Sequence, residues 1–216
     1  MPGGYAWPVN RSAVWFLGVI AIVVAVALSH AGYIAWQKRV QQKEVAALIG
    51  DSTQKLREAL TAKASPDVVG ALDANLHATK APRLPQLEGA AENYIVGARE
   101  IARRRVVAAD LERRATASRA ALAGHMARAS HRDSGWVRHA LDLKQRLERE
   151  HYDLGLTLKA LDELLYQLPE SEKRLAPHID AALLLDLKIA DAARKQTQAD
   201  AQRANDELTR VRRLVP

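Results

Sequence analysis

Cysteine is absent from the chain, which excludes disulfides, thiolate metal sites and a thiol nucleophile. Aromatic residues make up only 5% and mostly lie before residue 37, so the rest of the chain has few of the large rings that fill a β-sandwich core. Alternating Val, Ile and Thr of the kind a strand needs is also missing, and Ala, Leu, Arg, Gln and Glu dominate the remainder, as in long helices. The most informative absence is of charge: between Arg11 and Lys38 lie 26 residues without Asp, Glu, Lys or Arg.

That run is filled by Val, Ile, Leu, Ala and Phe over positions 13 to 28. A hydrocarbon core of about 30 Å takes roughly 20 helical residues, so residues 13–36 are expected to form one transmembrane helix after an N-terminal tail of residues 1–12. Trp7, Trp15, Tyr33 and Trp36 stand near its two ends, where amphipathic rings favour the headgroup level. A rival reading is a signal peptide cleaved after Ala31, since Ser29, His30 and Ala31 form a small-x-small site. Against it, the uncharged run continues to Trp36. Lys38, Arg39 and Lys43 outnumber Arg11 and the amino terminus, so charge counting places the body on the cytoplasmic side of an inner membrane, with the periplasm as the close alternative.

Beyond the run, residues 37–80 read as short juxtamembrane helices. Gly50 is expected to end the first, with Asp51 or Ser52 capping a new start; Ser65 caps the next and Pro66 enters its first turn. Pro82 and Pro85 make residues 81–85 a linker. Residues 86–216 then read as a helical bundle with helices over about 86–132, 134–168 and 177–215. In the first, Leu87, Tyr94, Ile101, Ala108, Ala115, Leu122 and Ala129 recur every seven residues, beside a row of smaller and mixed residues. In the second, Leu147, Leu154, Leu161 and Leu168 form a stricter packing seam, interrupted in the adjacent row at Lys144 and His151. Pro169 is expected to end this helix and Pro177 to open the last. The fold class is therefore all-α: one N-terminal transmembrane helix followed by coiled-coil-like antiparallel helices, with a two-stranded zipper as the alternative use of the seam.

No phosphate-binding loop, dinucleotide turn or nucleophile elbow occurs, and no cofactor or enzymatic activity is expected. Ser130, His131, Asp133 and Ser134 are neighbours in a helix break and read as turn chemistry rather than a catalytic set. Glu148 and His151 have the Glu-x-x-His spacing of di-metal bundles, but a working site needs a second such pair; His151 is expected to be a solvated polar position.

Charge is focused in one place. The chain carries 32 Lys and Arg against 25 Asp and Glu, or +7, and +6 once Arg11 is set aside. Residues 99–132 hold nine arginines against three acids, also +6, so charge elsewhere beyond the apolar run cancels. Arg99, Arg103, Arg104, Arg105, Arg113, Arg114 and Arg119 are the candidate partner-binding residues, facing an anionic protein or lipid surface; the alternative is a solvated helix face. Nucleic acid would call for aromatic platforms or a reader motif beside the arginines, and neither is present. The expected function is that of a membrane-anchored scaffold or adaptor binding a protein partner, or a second copy, through helical seams or the arginine face. The alternative is an extracytoplasmic sensor-type bundle acting with a separate output protein.

Overall fold

The structure is a computed structural model that describes residues 11–79, 85–128 and 134–214. Every regular element among these residues is helical: α1 (Arg11–Leu60), α2 (Pro66–Thr79), α3 (Pro85–Ala127), α4 (Ser134–Leu175) and α5 (Leu187–Arg212), with a 3-10 turn at Ala181–Leu183. Residues 1–10 of the expected tail, most of the linker and residues 129–133 lie outside the described residues, and α1 already begins at Arg11, inside the expected tail of residues 1–12.

The chain divides into two compact units, residues 1–43 and 44–216. In the first unit, every described side chain from Trp15 to Arg39 is exposed, although Leu, Ile, Val and Ala fill most of the positions up to Leu28. This helix is long and apolar enough to cross a membrane.

The second unit contains the bundle. α3 packs on α4 and α4 on α5, while α2 packs on α3. Its main core joins Val45, Ile49 and Leu56 of α1 to Leu72, Tyr94, Ile101, Leu161 and Leu165. The expected α3 row is buried at Leu87, Tyr94, Ile101, Ala108, Ala115 and Leu122, and the α4 seam is buried at Leu147, Leu154, Leu161 and Leu168. These leucines face the chain's own helices, as in an intramolecular bundle rather than a zipper.

Three expected boundaries are corrected. α1 does not stop at Gly50: buried Ile49, Ser52, Thr53 and Leu56 continue the helical packing past it, and a Cβ at Gly50 would stand only 3.3 Å from Leu183 Cδ2. The glycine thus gives room to the loop before α5, at a helix-propensity cost of about 1 kcal/mol. α4 does not stop at Pro169 either, since Leu168, Glu172 and Leu175 are buried on both sides of it. That burial offsets the lost amide donor, which costs about 3 kcal/mol. α5 begins ten residues after Pro177, at Leu187, because the Asp180 and Asp186 side chains accept from the amides of Ala182 and Lys188 and cap separate turns.

The loop between α4 and α5 is held from two sides. Arg57 Nη2 of α1 donates to the Leu184 carbonyl at 3.0 Å, and the Leu185 amide donates to Glu172 Oε1 at 3.1 Å. Burial pushes the Glu172 carboxyl up to about 7, against the opposing effects of the Leu185 amide and the Arg57 charge.

Candidate functional site

α3 distributes its arginines around the helix, and the structure separates them into two groups. Arg99 reaches across to α2, where Nη1 is 3.2 Å from Asp73 Oδ1. Arg103 and Arg104 share Glu100, at 4.0 and 2.9 Å, and Arg113 and Arg114 share Asp110. The Arg113 hydrogen bond is the chief reason that the Asp110 carboxyl lies below its usual range. Most of these pairs are local, three or four residues apart, and exposed pairs of that kind are weak because water and salt screen them. Their guanidinium groups can therefore be surrendered to a partner at little cost. Arg103, Arg113 and Arg114 are the most exposed of the set and form its outward part.

Arg105 and Arg119 belong to a different surface. Arg105 is half-buried, with Nη2 3.5 Å from the Leu60 carbonyl, and burial lowers its pKa from the usual arginine value. Arg119 Nη2 lies 2.9 Å from Glu207 Oε2 of α5 and 3.3 Å from His151 Nε2 of α4. One guanidinium thereby connects three helices. The seven candidate arginines thus form no single face.

Between these two arginines runs a cleft of about 780 Å³. The stripe Arg105, Ala108, Glu112, Ala115 and Arg119 forms its α3 wall, at spacings of three and four that keep one helical face in line. Leu154 and Leu158 of α4 line it with His151, α5 adds Asp200, Ala204 and Glu207, and the end of α1 contributes Leu60.

His151 is the clearest departure from expectation. It is only 6% exposed, sitting on the buried side of α4 rather than in solvent. Burial, then the Arg119 charge, pull its pKa below the usual value. An arginine can only donate, so Nε2 accepts from Arg119 and the neutral ring carries its proton on Nδ1. That Nδ1 is buried without a hydrogen-bond partner. No group of three or more His, Asp or Glu side chains suited to a metal ion occurs among the described residues.

Three further polar residues escaped sequence reasoning: Arg57, Glu172 and Thr53, the last paired with Tyr94. Each lies at a helical position whose neighbours are buried, but only their contacts across the fold single them out. The chain matches no protein-family model, no curated protein and no solved structure.

Proposed function

We propose that the protein is a single-pass, membrane-anchored helical adaptor, without catalysis, that holds a protein partner at the inner membrane. The observation that carries this reading is one continuous helix, α1, whose exposed apolar residues from Trp15 to Trp36 are followed by the buried core residues Val45, Ile49 and Leu56. Exposed apolar surface on this scale is costly in water and favourable in lipid. A partner is supported by the basic excess of α3, whose outward arginines are tied only by weak local pairs. Lys38, Arg39 and Lys43 favour a cytoplasmic body.

A second reading, the extracytoplasmic sensor, is favoured by the cleft, which lies between helices where bundle ligands commonly sit. Protease added outside spheroplasts separates the two. A protected body is expected for the adaptor; digestion of residues 44–216 would favour the sensor. For the partner, the triple variant Arg103→Glu, Arg113→Glu, Arg114→Glu should reduce co-purification from solubilised membranes at least tenfold while helicity is unchanged. Undiminished co-purification would reject the outward face as the contact.

A further inference from the structure

We propose that the connection between α4 and α5, residues 176–186, is a proton-operated latch: it is fastened to α1 and α4 while Glu172 is neutral, and opens more often once Glu172 is ionised, with the helices still packed. The inference goes beyond the adaptor reading and does not depend on it.

The latch closes on a single peptide unit. Arg57 Nη2 holds the carbonyl of Leu184, and Glu172 Oε1 holds the amide of Leu185, the other end of the same unit. The Leu185 backbone also meets the phenol of Tyr94 on α3. Three helices thus converge on one link of a connection whose regular structure is a single 3-10 turn. Around this link Ile179, Leu184 and Leu185 are buried, and Leu183 lies beside Gly50 of α1. Both ionisable groups are committed to backbone, and Arg57 Nε is buried without a hydrogen-bond partner.

That arrangement suits a neutral carboxyl. Burial outweighs the help that the Leu185 amide and Arg57 give to the charged form, and the carboxyl loses its proton at about 7 instead of 4.5. An opened connection lets water reach the carboxylate. Between those limits the fastened chain holds a proton that the opened chain gives up, so the ratio of open to fastened chains climbs with pH and levels off above 7. The groups bearing on Glu172 are Arg57 from α1 and, from α3, the Tyr94 phenol, which burial keeps protonated. Lys173 and Arg174 on its own helix are exposed, as are His178, Asp180 and Asp186 of the connection and Lys188 of α5.

The opening is local. Ile101, Leu154, Leu158, Leu161 and Leu165 hold the helices together without the connection, and a segment with few buried residues of its own opens at lower free energy than the core around it.

Amide hydrogen exchange of the full-length protein in lipid nanodiscs tests the latch, read at Leu184 and Leu185 and corrected for the intrinsic pH dependence of exchange. Both amides should exchange faster than those of Leu161 and Leu165 at every pH, and their protection should fall at least tenfold between pH 5.5 and 8. In Glu172→Gln, whose side chain stays neutral, protection should be the same at both. Protection equal to that of Leu161 would mean that the connection opens only when the bundle unfolds, and would overturn the latch. Protection that ignores pH in the natural chain, or an equal fall in Glu172→Gln, would overturn it too. The natural chain alone supplies a further check, since its fall should level off above about 7; a fall continuing unchanged to pH 9 would also contradict the latch.

Discussion

Thr53 Oγ1 and Tyr94 Oη stand 2.8 Å apart in the closed interior, tying the core portion of α1 to α3. Both residues are at most 1% exposed, so neither hydroxyl can turn to water, and the Leu185 backbone is a further partner of the phenol. Burial pushes the Tyr94 phenol up to about 12, the Thr53 hydrogen bond only partly opposing it. Thr53→Val removes one of the phenol's two partners and should cost about 0.5–1.5 kcal/mol, and the double variant Thr53→Val, Tyr94→Phe should lose less than the sum of the two single variants. Chemical denaturation of the three variants in detergent measures this coupling; additive losses would contradict it.

Glu172 predicts a pH dependence of definite sign. Its folded pKa, about 7, lies above the ordinary value of 4.5, so the folded chain holds a proton that the unfolded chain has released between those limits. Its contribution is fully present below pH 4.5 and lost as pH rises through 7, by an amount on the order of 1–2 kcal/mol. Glu172→Gln should flatten this fall in thermal melts between pH 5 and 8. His151 acts oppositely, since its lowered pKa removes stability as pH falls below 6.5. The acid-side loss should therefore survive in Glu172→Gln, and a variant with the wild-type fall above pH 5 would contradict the assignment.

Two helical glycines should respond differently to substitution. At Gly155 a Cβ would meet nothing within 4 Å, so Gly155→Ala should raise stability by about 0.5–1 kcal/mol through helix propensity. Gly50 faces Leu183, and Gly50→Leu should cost about 1–3 kcal/mol by overpacking. Equal melting shifts for the two would show that Leu183 does not constrain Gly50.

Two leucines on α4 make a parallel contrast. Leu161 is fully buried and Leu156 is 51% exposed. Leu161→Ala should cost about 2–5 kcal/mol and Leu156→Ala under about 0.5 kcal/mol. Denaturant midpoints of the two variants provide the check.

These contrasts also mark how far the sequence could be read. The α4 leucines and the α3 row from Leu87 to Leu122 announce their buried faces by spacing alone, because a helix turns local spacing directly into a face. The apolar run declares itself by the absence of charge over residues 12–37. Gly50 and Pro169 mislead because local propensity is outweighed by packing from distant residues, Leu183 at one and the core around Leu168 and Leu175 at the other. Pro177 attracts a helix start that Asp186 makes instead. The cleft is invisible in the sequence because its lower end depends on Arg119 and Glu207, 88 residues apart, and on the burial of a histidine whose neighbours are charged.

The central claim is that α1 enters a membrane through the residues between Trp15 and Trp36 and holds the bundle there. Alkaline carbonate extraction of membranes containing the full chain tests it most directly, scored beside the variant Val23→Arg, Val24→Arg, Val26→Arg. The account predicts that the natural chain stays in the membrane pellet while the triple-arginine variant is released with its bundle still helical. Recovery of the natural chain in the carbonate supernatant would contradict it.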